Sequence, residues 1–247
     1  MNDQVTTALV VLQPEQSAAL IGQAVAMLPQ VIQRRQQGCM VIVGGSTTRH
    51  VVRYLLGEDP GRDSFAIGCI QHGRLGETDA GQRGPGAYLI QEGVVTRGWP
   101  GPLLSQFNKG DLYIKGANAV DAMGHSAILM GSPTGGTIGA AWSILMARGG
   151  ELIVPVSLRK QIPSVMAVAG KLGHGRVDRV MGSPVGYMPI PAGFATVVTE
   201  IDAFRSLYQI TATLVASGGW DDCAGALVFH LSGSATQVER AWEGIGS

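Results

Sequence analysis

The sequence predicts an α/β protein with a largely parallel sheet, helices flanking it, and a small α+β unit at the C-terminal end. Three observations carry this expectation. Short apolar, β-branched runs alternate along the chain with longer amphipathic stretches, the pattern of strands exchanged with helices. Glycine is abundant, 36 of 247 residues, and clusters where one kind of element would give way to the next. Apolar residues make up 45% against 15% charged, enough to fill the core of one large domain or of a main domain with an appendage.

In chain order, residues 7–12 read as a strand. Gln13-Pro-Glu-Gln opens one long helix carrying Ala19, Leu20, Val25, Leu28 and Ile32 at helical spacing, ending in Arg34, Arg35 and Gly38. Residues 39–43 form a buried strand bounded by glycine, and a helix to about Leu56 follows, with Ser46 or Thr47 as its cap. Residues 65–71 read as another buried strand, and 72–86 as a long polar loop too rich in glycine for regular structure. A short strand or hairpin is expected at 87–95 and a short helix at 103–108. A strand over 111–116 ends at Lys115, a turn spans 117–125, and 126–130 returns as a strand. The loop 131–139 opens a helix over 140–146. Then come a strand at 151–156, a helix at 164–172, an irregular proline-bearing stretch at 174–192, a strand at 195–200, a helix at 202–216, a strand at 224–230 and a final helix at 236–245. The expected division is a main domain over 1–192 and a small β-α-β-α unit over 193–247.

Charge and cysteine narrow the function classes. Eighteen basic and eighteen acidic residues give zero formal net charge, so nothing favours nucleic acid or an anionic membrane surface. Cys39, Cys69 and Cys223 are odd in number and lack C-x-x-C spacing; two lie in apolar runs and read as reduced core thiols. Met-Asn-Asp-Gln-Val-Thr-Thr has no basic region ahead of its apolar run, so no signal peptide is expected, and no apolar run is long enough for a membrane helix. A cytoplasmic location is the resulting expectation. His72, His125, His174 and His230 have no metal-ligand spacing, so neither a metal nor a cofactor is expected. Low charge and exposed strand edges are compatible with a homo-oligomer.

The chemistry concentrates in loops. Open parallel sheets bind ligands outside the carboxyl ends of their strands. Gly44, Gly45, Ser46, Thr47, Thr48 and Arg49 follow one strand; Lys115 and Asn118 follow another; Arg159 and Lys160 follow a third. The second glycine-rich loop supplies Gly131, Ser132, Thr134, Gly135, Gly136 and Thr137. If the strands are parallel neighbours, these loops and the one after Gln71 converge on one edge. Backbone N–H groups, hydroxyls and cations there would hold a phosphate or carboxylate. A cation at Arg49, in a first helical turn, also calls for an anionic partner. The loops lack the lysine of a phosphate-binding P-loop, neither is G-x-G-x-x-G, and Gly-x-Ser-x-Gly is absent.

The order of these motifs resembles ribose-5-phosphate isomerase type A, within the superfamily it shares with glucosamine-6-phosphate deaminases and CoA transferases. Gly44-Gly-Ser-Thr is similar to that family's G-x-G-S-T turn, Lys115-Gly-Ala-Asn-Ala-Val-Asp121 to its D-G-A-D-E, and Gly131-Ser-Pro-Thr-Gly-Gly-Thr to its K-G-G-G-G loop. A strand followed by Lys160 matches the next strand, which ends in lysine. The resemblance spans roughly residues 38–165 and implies a Rossmann-like domain. The departures are specific: Asn118 stands for the acidic residue, the loop lysine has no counterpart, and Ile138-Gly-Ala-Ala-Trp142 replaces the glutamate that serves as base. Residues 117–160 also resemble the lactate-utilisation branch, although no cysteine clusters for iron–sulfur centres are present.

Two functions follow as expectations. The first is a divergent enzyme acting on a small anionic metabolite, with Lys115, Asn118, Asp121, Lys160 and Glu200 as its catalytic set and the two glycine loops gripping the anion. Glu77 is a further carboxylate that could act as base. The second is a non-catalytic module that senses a metabolite or mediates assembly.

Overall fold

The computed structural model describes residues 5–246; the signal-peptide reading of the first residues concerns positions partly outside that range. Strand β1 (Thr6–Leu12) leads into α1 (Pro14–Ala26) and α2 (Pro29–Gln36). The single long helix expected here is two. Pro29 has no N–H to donate and its ring excludes the preceding turn, so the chain breaks at Met27 and Leu28 and restarts with proline in the first turn, where it is tolerated.

Strand β2 (Cys39–Ile42) and helix α3 (Thr48–Leu56) follow as expected, and Gly57 ends α3 in the left-handed region (φ 74°). The buried strand expected at 65–71 is instead a one-turn helix α4 (Arg62–Phe65) and an exposed strand β3 (Gly68–Gln71), with Ile70 72% exposed. Strand β3 pairs with β4 (Arg74–Glu77) inside the stretch expected to be loop. His72 (φ 51°) and Gly73 (φ 69°) make the turn, the pair of positive φ angles that suits a tight hairpin. The side chain of Cys69 lies outside what the structure describes.

The hairpin expected at 87–95 is present as β5 (Ala87–Gln91) and β6 (Val94–Gly98), turning at Glu92 (φ 48°) and Gly93 (φ 81°). A short α5 (Gly101–Leu104), β7 (Leu112–Ile114), β8 (Ala119–Val120), β9 (Ser126–Met130), α6 (Gly136–Arg148) and β10 (Glu151–Pro155) come next. The helix expected at 164–172 is only a 3-10 turn at Met166–Val168: Pro163 before it and Gly170 (φ 77°) after it leave too few residues to propagate a helix. The irregular stretch contains β11 (Gly186–Ile190), whose Pro189 is tolerated because β11 is an edge strand. After β12 (Thr196–Val198), helix α7 (Glu200–Tyr208) stops early. Gln209 adopts φ 60°, and the β-branched alternation from Thr211 forms β13 (Thr211–Gly218) rather than more helix. Strand β14 (Ala226–Gly233) and helix α8 (Ala235–Gly246) complete the described chain.

The main sheet has six strands in the order β12-β10-β7-β2-β5-β6 and is mixed, not largely parallel. Strands β12, β10, β7 and β2 run parallel, but the β5–β6 hairpin adds two antiparallel strands beside β2. Sequence signals located the hairpin; they do not carry its partner, because an antiparallel edge obeys the same alternation. Two further antiparallel sheets, β1-β14-β13 and β11-β9-β8, raise the antiparallel share. Side chains alternate across the main sheet. Met40, Ile42, Leu112, Ile114 and Ile153 face α1, α3 and α7, while Val41, Val43, Tyr113, Leu152 and Val154 face α5 and α6.

The boundary placed between 192 and 193 is crossed in both directions. Strand β12 belongs to the main sheet, and β1 pairs with β14, so the C-terminal sheet is built from both ends of the described chain. Apolar residues of β1, β13 and β14, such as Val10, Leu227 and Phe229, share one core with α1, α3 and α7. Among the described residues no helix is long and apolar enough to cross a membrane.

Candidate functional site

The four parallel strands end on one edge: Val43 N–H bonds to Ile114 O, Lys115 N–H to Ile153 O and Val156 N–H to Val198 O, each close to 3.0 Å. This edge collects Gly44–Arg49 after β2, Lys115–Asn118 after β7, Ser157–Lys160 after β10 and Thr199–Glu200 after β12. Two of the five loops expected there arrive differently. The loop after Gln71 belongs to the β3–β4 hairpin, and the loop 131–135 follows β9 of the small sheet. The second still reaches the edge, because α6 starts beside β7: Tyr113 OH donates to Thr137 O (2.7 Å).

At the opening turn, local structure takes up most of the chemistry. Gly44 is required by a neighbour, since a Cβ there would lie 2.0 Å from Phe65 O. Thr47 precedes α3 without a side-chain cap bond, and buried Thr48 donates its hydroxyl back to Val43 O (2.6 Å). Ser46 is exposed and Gly45 packs against Thr48. The anionic partner that Arg49 calls for is internal. Its guanidinium makes a bidentate pair with Asp59 (2.7 and 2.9 Å) and reaches Glu15 (3.1 Å). That hydrogen-bonded pairing holds the Asp59 carboxyl well below its ordinary range. Arg49 is thus a clamp between the start of α1, the start of α3 and the loop at Asp59. Replacing Arg49 with alanine should cost about 1 kcal/mol, because both carboxylates are partly solvated. Urea denaturation measures this, and a cost above about 3 kcal/mol would mean the clamp is far stronger than an exposed ion pair.

The two lysines behave differently. Lys115 Nζ donates to Thr137 Oγ1 (3.1 Å), and Lys160 Nζ donates to Ala117 O (2.7 Å). Neither takes part in any ion pair among the described residues. Burial lowers each ammonium to about 8; for Lys160, Arg159 pushes the same way and Glu200 opposes it. Beside Lys115, α6 opens at Gly135 (φ 82°) and Gly136 (φ 58°), so its first N–H groups and its positive dipole end lie at the same place. Ser132 and Thr134 hydrogen-bond each other (2.9 Å), and Gly131 has Glu77 Oε1 above it, 3.0 Å from where a Cβ would sit.

The expected acid–base residues are committed elsewhere. Asp121 accepts from the N–H groups of Met123, His125 and Val165 (3.0, 3.1 and 2.8 Å). Burial would raise its carboxyl, but these three bonds outweigh it and hold it below the ordinary value. Asn118 is exposed and its Oδ1 accepts from Leu129 N–H (3.0 Å), bracing the β8–β9 connection. Glu200 is fully buried. Its Oε2 accepts from Leu158 N–H (2.9 Å), and its Oε1 accepts from Ser17 Oγ, which also contacts Ser157 Oγ (3.1 Å). Glu77 pairs with Arg83 (2.7 Å).

The Ser17–Ser157–Glu200 cluster was not visible from sequence, because its members come from α1, the turn after β10 and α7. Buried His50 was also missed; its Nε2 lies 3.1 Å from Glu15, and its Cβ lies 2.4 Å from where a Cβ on Gly22 would sit. Burial lowers its imidazole. Only Gly22 amid the apolar face of α1 hints at this close helix crossing. Two surface hollows lie away from the edge, one at Leu89, Pro102 and Leu103, and one between β1 and α8. No cluster of metal-ligating side chains occurs among the described residues. No family model matches the chain, and no curated protein is significantly similar to it.

Proposed function

We propose that this chain binds a small anionic metabolite, phosphorylated or carboxylated, at the carboxyl edge of its parallel strands. One observation carries the reading: Lys115, a half-buried cation that among the described residues is answered by a hydroxyl and by no carboxylate, sits at the start of the 13-residue helix α6. An anion there would gain the ammonium, the Thr137 hydroxyl and the first N–H groups of α6 together. Lys160 lies at the same edge and could take a second anionic or carbonyl group of the ligand. The phosphate-gripping role passes from Gly44–Arg49, where Arg49 is already neutralised, to Lys115 and the loop 131–137. A Rossmann-like relationship to the isomerase, deaminase and CoA transferase superfamily, or to its lactate-utilisation branch, is part of this proposal and rests on motif order alone.

A second reading has a specific observation behind it. Asp121 and Glu200 spend their oxygens on backbone and hydroxyl donors, and Glu77 is paired with Arg83, so none of these three carboxylates is free to act as base. Binding without turnover, as in a metabolite-sensing module, fits that arrangement better than isomerisation.

Thermal-shift measurements with inorganic phosphate, sugar phosphates, CoA esters and hydroxy acids test the site. At least one should raise the midpoint in the wild type and in Arg49→Ala but not in Lys115→Met. No response to any anion, or a response that survives Lys115→Met, overturns the assignment. A stabilising ligand that is converted to product would sink the non-catalytic reading.

The lowered ammonium adds a pH dependence. Lys115 titrates near 8 in the folded chain and near 10.5 when unfolded, so between these values the unfolded state holds the extra proton. Raising the pH through that window should stabilise the empty protein, while anion affinity should fall above about 8. In the absence of ligand, Lys115→Met should raise stability at neutral pH by about 1 kcal/mol, because a half-buried charge without an ion-pair partner among the described residues is removed. Denaturant titrations at neutral and alkaline pH read both effects.

A further inference from the structure

The three-stranded sheet β1-β14-β13 has two edges, and they differ. Strand β13 carries a register shift between Leu214 and Ala216 and ends at Gly218, with Gly219 just beyond it, features that discourage further pairing. Strand β1 has no such protection. Its register against β14 is unbroken from Thr6 to Leu12, and Thr-Thr-Ala-Leu-Val-Val-Leu contains no charge, proline or glycine. Leu9 and Val11 stand exposed on its outer side, at 62% and 53%. Among the described residues nothing pairs with the free side of β1.

A second feature adjoins this edge. A hollow of about 320 Å³ lies between β1 and α8, lined by Thr6, Thr7, Ala8, Val238, Glu239 and Trp242. Trp242 is 54% exposed on a helix whose Val238 and Ala241 are buried. An indole left in this position beside an open strand edge is the kind of anchor that interfaces use.

We propose that β1 is the edge through which two copies of this chain associate. The β1 strands pair antiparallel about a two-fold axis, joining two three-stranded sheets into one continuous sheet, and Trp242 of each copy closes over the seam. A second copy suits this edge because a two-fold axis sets like against like, and a strand with no charge meets itself without repulsion. Glu239 is the only ionisable group lining the hollow, and it is exposed at the rim. Seven residues at ~3.3 Å each give a seam of about 23 Å. Strand pairing of that length is small beside the roughly 800 Å² per partner of a standard interface, so the dimer is reversible and concentration-dependent.

Sedimentation equilibrium over a concentration series, with amide hydrogen exchange on the same samples, tests this. The wild type should show a dimer that grows with concentration and slows exchange of the β1 amides. Leu9→Lys, on the exposed side of the strand, and Trp242→Ala should each shift the protein to monomer while keeping the wild-type circular dichroism. A wild type that stays monomeric throughout overturns the proposal. So does a dimer that persists in both variants, or one whose formation leaves β1 exchange unchanged. If Leu9→Lys fails to fold, Trp242→Ala and the exchange data decide alone.

Discussion

Glu200→Ala should destabilise the fold by about 3 kcal/mol, since it removes the carboxylate acceptor of buried Ser17 Oγ and half-buried Leu158 N–H and opens a void. The carboxylate is fully buried at the first turn of α7, where the helix dipole favours a negative group. It accepts from Ser17 on α1 and from Leu158 N–H in the turn after β10. Ser157 extends the network by contacting Ser17 and accepting from Arg159 N–H (3.2 Å). Three elements separated in sequence are thus tied at one carboxylate. For a chain of this length the loss corresponds to a melting point lower by roughly 6–12 °C. Glu200→Gln keeps the shape and one acceptor oxygen and should cost less, about 1 kcal/mol. Urea denaturation of both variants is the measurement. If Glu200→Ala stays within about 0.5 kcal/mol of wild type, the network is not structural, and the catalytic role expected from sequence returns.

Gly44→Ala should be of comparable severity, again about 3 kcal/mol, although it adds a single methyl group. The new Cβ would sit 2.0 Å from Phe65 O, a backbone atom that cannot swing aside as a flexible side chain would. Phe65 is itself fixed, buried at the end of α4 with its ring edge-on to Tyr88 at 5.5 Å between centroids. Relief therefore requires α4 or the turn after β2 to move. If the shift is taken up by α4, anion binding at Lys115 should persist in the surviving folded protein. Denaturation and phosphate thermal shift of the same variant separate these consequences, and an unchanged midpoint would show that the close approach is soft.

The sequence carried the elements near the site well where periodicity and punctuation agree. Strand β2, helix α3, strands β7, β9 and β10 and the loop before α6 all stand where glycine, hydroxyl and apolar runs placed them. It failed where a local rule had two solutions. Residues 211–216 fit a helical face as well as a strand, and only the left-handed turn at Gln209 decides between them. Pro29 was readable as a break, yet the apolar spacing continued through it. For the site, the sequence named Lys115 and Thr137 but not their contact, which depends on α6 starting beside β7. It also assigned Arg49 to a ligand, because Asp59 and Glu15 reach it only after α1 and α3 have packed. Roles of charged residues follow from which charges meet, and that is a tertiary fact.

The pairing of β1 with β14 also has a temporal consequence. Thr6 is matched to Gly233 and Leu12 to Leu227, so the first described strand waits for nearly the last before its hydrogen bonds can form. The loop it closes is almost the whole chain, and such non-local contacts are slow to reward the entropy they cost. During synthesis the parallel strands β2, β7 and β10 emerge well before β14 and can assemble without it. Strand β1, apolar and uncharged, stays unpaired with β14 throughout that interval. Closure of this sheet over α1 and α7 is then expected late in folding, and errors of biosynthesis should concentrate there.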